Sequence, residues 1–440
     1  MQRAGVGRRC LLVQALCVVA FHLALSCTLW IKEKAMGIFD VMLQSETKTR
    51  FTMHRDQAIG VSEREKEKLR AYVFSESYTQ AIERLAAGDF FIDPPEEKPI
   101  KKSLGGNKRI LYLFAPEIRM LMSYMAFVAG ERYDALFTDN LYSFRTSRNA
   151  VTLSKQLGRL PRLNESYKVR TDVRAYFNSI DEEKLVGITD RVFAGDPAFA
   201  QFLHWLLLRR TYTVDGVLTA GHPGAIPGMP LSNFLANLYL MDIDKHFAEQ
   251  CRFYARYADD ILILTDNREQ MLQCRALLEA MLCEKGLGLN EEKTRNYMPG
   301  EPFEMMGFSF SGKEIDISEH AIMKIERKVK RRAERILYLK RKHGFSDEEA
   351  MRRMISKVNA ILFHQDENRH VLNWTVWTFP VITTTKGLKR IDAIMQKYIR
   401  YAATGTLSDR QYRAKYAKMR ELGYRTTVHA YYRDFLKDER

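Results

Sequence analysis

An α+β fold is predicted by this sequence, with helices and strands mixed as far as residue 315 and a helical, strongly basic segment after it. Two observations predict the first region. The runs "YKVRTD" (167–172) and "RFYARYADDILILT" (252–265) are dense in β-branched and aromatic residues, as buried strands are. Between and around them lie stretches with helical spacing of apolar residues, at 62–87, 116–130 and 234–247. The third observation is "KIERKVKRRAERILYLKRKH" (324–343), where Ile325, Val329, Ile336 and Leu339 form an apolar stripe on an otherwise cationic helix.

Taken in order, residues 1–35 carry Arg3, Arg8 and Arg9 before an apolar run from Leu11 to Trp30, the pattern of a signal peptide or single anchor. The alternative is translated upstream sequence, with Met36 in "MGIFDVML" as the working start, and that is the preferred expectation. Residues 36–98 form a helical N-terminal extension, with Ser62 and Glu65 as a capping box for the helix at 62–87. "DPPEEKP" (93–99) breaks it and marks a boundary. "IKKSLGGNKRILYLF" follows as a basic, glycine-containing turn between two short strands. A main unit then spans 99–315, and a basic helical unit spans 316–440.

The net charge is +15. Omitting residues 1–35 lowers it by four, to +11, so the body stays basic either way. Such a surplus favours a polyanionic partner, nucleic acid before anionic membrane. Of six cysteines, only Cys251, Cys274 and Cys283 lie outside the leader, and none forms a Cys-x-x-Cys pair. A zinc site and a disulfide framework are therefore not indicated, and a reduced, cytoplasmic compartment fits.

Within "RYADDILIL" (256–264), Asp259 and Asp260 interrupt an apolar strand pattern and are expected at the tip of a hairpin. An aspartate pair is also ordinary turn chemistry. Adjacent carboxylates between buried strands nevertheless repel unless a cation holds them, which points to a metal site completed by a further carboxylate on a neighbouring strand. Asp172, at the end of a strand and followed by Tyr176 and Phe177, is the candidate; a helix-capping aspartate is the alternative. After it come the Gly/Pro turn "GAIPGMPLSN" (224–233), the apolar-faced helix "FLANLYLMDIDKHF", the Asp259–Asp260 hairpin, "GLGLNEEKT" (286–294) and "FEMMGFSFSG" (303–312).

That ordered set, together with "DNLYSFRTSRNA" (139–150), resembles the palm and adjoining segments of reverse transcriptases, particularly bacterial ones of the group II intron, retron and phage-defence lineages. The resemblance covers roughly residues 100–315. It implies a right-hand arrangement of fingers, palm and helical thumb, the palm being an antiparallel sheet packed on helices. It implies RNA-directed DNA synthesis with two Mg²⁺ ions, Mn²⁺ able to substitute, held by Asp172 and Asp259 with the carbonyl of Val173 and, more weakly, Asp260. Two such ions lower the pKa of the attacking 3′-hydroxyl and offset charge on the entering and leaving oxygens. Phe177 matches the aromatic gate that excludes a ribose 2′-hydroxyl, and buried core is its other reading. Lys293 matches a lysine beside the leaving pyrophosphate. Lys108 and Arg109 would clamp the triphosphate, Arg145 would support template or nucleotide, and Gly228 keeps the turn chemistry beside the nucleotide. Many relatives carry Pro-Gln-Gly in that turn; here Ile226-Pro227-Gly228 has no glutamine.

The implied partners are dNTPs, an RNA template that could be a dedicated noncoding RNA, and the DNA product duplex gripped by the cationic helix. A solvated helix face is the plain reading of that helix. Trp374, Trp377 and Phe379 read as thumb core, and 416–435 resembles a C-terminal element of some stand-alone bacterial reverse transcriptases. The absence of an endonuclease signature favours a compact stand-alone enzyme in phage defence or a retroelement. Two other functions stay open: template-independent DNA synthesis, protein-primed or not, and a non-catalytic, maturase-like RNA-binding protein.

Overall fold

The computed structural model describes residues 36–56, 62–100, 109–363 and 374–436. The apolar leader 1–35 and Lys108 lie outside them. Among the described residues, no helix is long and apolar enough to cross a membrane.

The centre is a four-stranded antiparallel sheet in the order β6-β7-β3-β8, where β3 is Tyr167–Asp172, β6 Phe253–Tyr257, β7 Asp260–Thr265 and β8 Arg295–Tyr297. Successive residues of β6 and β7 alternate between two separate apolar cores. Val169, Tyr254, Ile261 and Ile263 face one, shared with the helices Pro116–Tyr133, Pro197–Leu208, Ser232–Tyr239 and Arg268–Glu284. Phe253, Ala255, Leu262 and Leu264 face the other, shared with the C-terminal helices. Burial on both faces is why "ILILT" reads as a continuous apolar run and not as alternation.

A second sheet, β2-β1-β4-β5, flanks the first and contains β1 Glu96–Ile100, β2 Arg109–Leu113, β4 Thr211–Val214 and β5 Val217–Ala220. β1 and β2 are the two short strands expected around the basic turn. The expected break at 93–99 runs into β1, and the boundary at 98/99 falls inside it. The parallel pairing of β1 with β4 is confined to Glu96, so Pro99 stands beyond the shared stretch and its missing N–H costs no ladder bond there. The boundary at 315/316 likewise falls inside β11 (Glu314–Ile317), which with β9 (Phe303–Met305) and β10 (Phe308–Ser311) forms a three-stranded sheet. Its β9–β10 hairpin turns at Met306 and Gly307, both at positive φ (52° and 86°), the conformation a two-residue turn needs to match strand twist.

The expected helix 62–87 is two helices, Glu63–Val73 and Glu76–Ala86. The capping box Ser62–Glu65 starts the first, and Ser75, accepting from the Tyr78 amide, starts the second and breaks the run. These helices are no detached extension, because Val73, Tyr78, Ile82 and Leu85 enter the same core as the central helices. The helix expected at 234–247 is also split at Leu240, into Ser232–Tyr239 and Met241–Gln250.

The cationic stretch lies on the 25-residue helix Glu319–His343, which buries Ile322, Ile325, Val329, Ala333, Ile336 and Leu337 against Asp347–Phe363 and Lys386–Thr404. Phe379 is buried in that core, while Trp374 and Trp377 are half-buried. One side chain makes three of the hydrogen bonds that hold the C-terminal element. Buried Asp392 accepts from the Thr427 amide at 2.7 Å, the Thr427 hydroxyl at 2.9 Å and the Val428 amide at 3.1 Å. We expect Asp392→Ala to lose about 1–3 kcal/mol, because buried amides are left without an acceptor. Denaturant unfolding measures it, and limited proteolysis should then cut first within 416–436.

Candidate active site

The β6–β7 hairpin closes with Tyr257 paired to Asp260, so Ala258 and Asp259 fill the turn and Asp260 opens β7. Ala258 has φ of 57° while Asp259 does not share the left-handed conformation, the pattern of a type II′ turn, where glycine is usual at the first position. Three contacts hold it. The Ala258 amide donates to Ser143 Oγ at 2.8 Å, Arg256 Nη1 donates to the Ala258 carbonyl at 3.1 Å, and the Val173 amide donates to the Asp259 carbonyl at 3.0 Å. Arg256 is itself fully buried and forks onto Asp244, with Nη2 2.6 Å and Nε 2.7 Å from its two carboxylate oxygens.

Asp172 and Asp260 are direct cross-strand partners. Like charges so placed repel, and each has a counter-charge. Arg170, two residues before Asp172 and on the same face, donates from Nε and Nη2 to Asp260 at 3.2 and 3.0 Å. Lys293 Nζ lies 2.6 Å from Asp172 Oδ2, and Asn290 Nδ2 lies 3.2 Å from Oδ1. Asn290 also donates its amide to the Asp172 carbonyl at 2.7 Å, which seats the "LNEEKT" turn against the end of β3.

Asp259 differs from both. Burial, and then the negative charge of Asp172, push its carboxyl up to about 6. Asp260 is also raised by burial, with Arg170 opposing the rise. Asp172, Val173, Asp259 and Lys293 share a cleft of about 780 Å³ with Arg109, Phe144, Phe177 and Asn290. Among the described residues, no group of three or more His, Cys, Asp or Glu is placed to hold a metal ion. The cleft brings together the carboxylates of Asp172 and Asp259, with Glu292 also on its wall, while Asp260 is turned onto Arg170.

Phe177 is half-buried at the cleft wall on the short helix Tyr176–Ser179, and its ring meets Tyr176 at 5.4 Å and Phe144 at 6.4 Å. Gly228 does not line the cleft. Its φ is 106°, and a Cβ there would stand 2.9 Å from the Tyr112 carbonyl, so it lets the turn lie against β2. Arg145 corrects the sequence expectation. Its guanidinium, 6% exposed, is consumed by Asp134 at 2.7 and 2.8 Å and by the Thr138 carbonyl at 2.6 Å, so it braces its own loop and does not reach the cleft.

Sequence reasoning missed Arg170, Asn290, Phe144, Ser143 and the Arg256–Asp244 pair. Arg170 alone had a readable signal, since position i−2 on a strand shares a face with Asp172.

Carboxylates on a central strand and the adjoining hairpin of an antiparallel sheet, with helices behind and a basic helical unit beside it, define the palm of a right-hand polymerase fold. Residues 100–310 match the family described as reverse transcriptase (RNA-dependent DNA polymerase). The likeness to reverse transcriptases thus rests on this segment of the chain. The chain is 26% identical over 151 residues to the retron Mx65 reverse transcriptase of Myxococcus xanthus, a match covering 32% of this chain. The chain spans about a third (35%) of the length of that relative. Two solved structures of apo telomerase from Candida tropicalis are also similar, both at 13% identity. The form truncated from its C-terminal domain gives a TM-score of 0.41 over 51% of this chain and 55% of its own. The other gives 0.40 over 75% and 59%.

The raised pKa of Asp259 fixes a sign for stability. The group is less readily ionised folded than unfolded, so its contribution is fully present below about pH 4 and is lost as pH rises through about 6. In protein stripped of metal, Asp259→Asn should be more stable than wild type at pH 8 by about 1–3 kcal/mol and equal to it at pH 4. Urea unfolding in EDTA at the two pH values tests this.

Proposed function

We propose that the chain is an RNA-directed DNA polymerase that adds dNTPs to a 3′-hydroxyl, and that Asp172 and Asp259 are its metal-holding carboxylates. One observation carries the reading: within a segment matching the reverse transcriptase family, a single cleft gathers Asp172, Asp259, Lys293, Arg109 and Phe177.

The donor set suits Mg²⁺, or Mn²⁺ in its place. It is all oxygen, and Mg²⁺ keeps several waters and needs few protein ligands. Burial, and then the charge of Asp172, raise the Asp259 carboxyl, and a bound cation would oppose both effects. Asp172 and Asp259 would hold it with the carbonyl of Val173, while Asp260, neutralised by Arg170, stabilises the hairpin more than it coordinates. Bound there, divalent metal activates the 3′-hydroxyl and offsets charge at phosphorus.

The protein's own groups do the remainder. Asn290 orients Asp172 through Oδ1. Lys293, 59% exposed at the mouth of the cleft, sits where a cation can neutralise the departing pyrophosphate oxygens and give up a proton. Arg109 reaches the same cleft from the end of β2 and is assigned to the triphosphate, with Lys108 beside it in sequence. Phe177 presents its ring where a ribose 2′-hydroxyl would press, which selects deoxynucleotides.

The basic unit, residues 316–440, fits a thumb. Lys324, Arg327, Lys328 and Arg335 stand exposed on Glu319–His343, opposite its buried stripe, and are assigned to the phosphates of the product duplex. A dedicated noncoding RNA is the template most in keeping with a retron relative, and production of a small DNA or phage defence is the role that accompanies it.

Primer extension on a defined RNA template tests the chemistry. Asp172→Asn and Asp259→Ala should each lower incorporation by about 10²–10³-fold or more with the fold retained by circular dichroism. Incorporation at the wild-type rate by either folded variant overturns the assignment, and products not complementary to the template would move the reading to template-independent synthesis. Phe177→Ala should reduce the preference for dNTP over rNTP by about tenfold or more, read as the ratio of kcat/KM values. An unchanged ratio would remove Phe177 from the gate.

A further inference from the structure

We infer that Phe144 is a positioning residue for nucleotide selection: its ring braces the ring of Phe177 from across the cleft and so fixes the surface that meets the sugar. The inference rests on the gate assignment of Phe177 made above and extends it to a residue on another segment of the chain.

Four observations converge on Phe144. It lines the same cleft as Asp172, Asp259, Arg109 and Phe177. It is 44% exposed there, an unusual place for a large apolar ring on a chain whose other phenylalanines are mostly core. Its ring stands edge-to-face to Phe177, with centroids 6.4 Å apart and planes at 73°, inside the range where aromatic pairs attract. Its backbone has φ of 58°, a left-handed conformation that disfavours a bulky residue and that asparagine or glycine adopts more readily.

That strained conformation is imposed from both sides. Ser143, fully buried, accepts from the Ala258 amide of the carboxylate hairpin at 2.8 Å and lies 3.4 Å from Asn237. Arg145 is clamped to Asp134 and to the Thr138 carbonyl. With both neighbours tied inward, the chain between them can only point residue 144 outward, into the cleft. Strain held by locked neighbours is the signature of a residue aimed at a task.

Phe177 needs such a brace. Its main chain is fixed, because its carbonyl accepts from the Ala225 amide at 2.9 Å. Its ring, only half-buried, is bounded by Tyr176 on one side, and Tyr176 is itself buried with its hydroxyl bonded to the Ala236 carbonyl. Phe144 supplies the opposing surface. A gate discriminates a single hydroxyl only if the ring cannot swing away from it, so restraint of the ring is selectivity.

The test is single-nucleotide incorporation by the full chain, with kcat and KM measured separately for a dNTP and its rNTP, in wild type, Phe144→Ala, Phe144→Gly, Phe144→Tyr and Phe177→Ala. Phe144→Gly deletes the ring while relieving the backbone, so it folds at least as readily as wild type. We expect Phe144→Ala and Phe144→Gly to lower dNTP-over-rNTP selectivity alike, between about twofold and about tenfold, mainly through a lower KM for rNTP. Phe144→Tyr should restore it, and adding Phe144→Ala to Phe177→Ala should change selectivity no further. Unchanged selectivity in Phe144→Gly, with Phe177→Ala relaxed, overturns this inference and leaves the gate standing. Unchanged selectivity in Phe177→Ala overturns the gate itself, and the inference with it. Loss of dNTP kcat in Phe144→Ala but not in Phe144→Gly would mark the backbone, not the ring, as what matters, and would also overturn it.

Discussion

The active end of this palm hangs on one buried ion pair, Arg256 with Asp244. Both side chains are essentially without solvent, 0% and 1% exposed, and breaking such a pair by removing one partner costs about 3–5 kcal/mol. Burial works against the charge of Arg256, and Asp244 outweighs it, keeping the guanidinium charged. Replacing the whole pair with apolar groups would often be harmless to stability. Its value here is positional. Strand alternation sends Arg256 to the helix side of the sheet, where Asp244 orients it on Met241–Gln250 and Asn237 accepts from it on Ser232–Tyr239. From there Nη1 reaches the Ala258 carbonyl and fixes the turn that carries Asp259.

From that anchor the three aspartates acquire three different characters. Asp260 is tied to Arg170 and serves the hairpin. Asp172 is held by Lys293 and Asn290, ready to exchange one cation for another. Asp259 has burial and the charge of Asp172 against it, and its elevated carboxyl records an unfavourable term in the metal-free protein. A cation bound there would offset part of that term, because it supplies the charge that burial and Asp172 leave unbalanced. Of the three, Asp259 alone has no cation bonded to its carboxylate among the ion pairs of the described residues, while Asp172 and Asp260 each have one.

The strands and the carboxylates were legible because their signals are local. Apolar density marked β3, β6 and β7, and Asp172 and Asp259 stood out as charges within it. The Ser62–Glu65 box was legible for the same reason. What escaped was tertiary. Arg145 follows Phe144 in a stretch that resembles a nucleotide-facing segment, yet its guanidinium is spent on Asp134, eleven residues earlier, which no spacing rule reveals. The helix at 62–87 looked continuous because its composition is helical throughout, and only the Ser75 cap divides it. Phe144 stood in the same segment as Arg145 without a role of its own, because its surroundings lie in a backbone angle and in a ring from another segment 33 positions on.

Left-handed residues explain how such a cleft keeps its shape. Phe144, Ala175 and Ala258 line it with φ of 58°, 47° and 57°, and Ile226, at 53°, sits in the turn that seats Phe177. Each such residue carrying a Cβ costs about 1–2 kcal/mol, so the four together oppose folding by several kcal/mol. They are offset by hydrogen bonds from buried groups. Ser143 and Arg256 hold Ala258, the Ser232 hydroxyl donates to the Ile226 carbonyl at 2.6 Å, and the Ala225 amide holds Phe177. Four segments far apart in sequence thus converge by tight reversals at the end of β3, where relaxed turns would sweep wider and leave the side chains short of one another. Arg162, Arg210, Asp215 and Met306 adopt the same conformation outside the cleft, so what distinguishes this end is that three such residues line one cleft. The same inflexibility that positions Asp172 and Asp259 also sets the ring of Phe144 against that of Phe177, so the proposed metal and sugar sites would share a single framework.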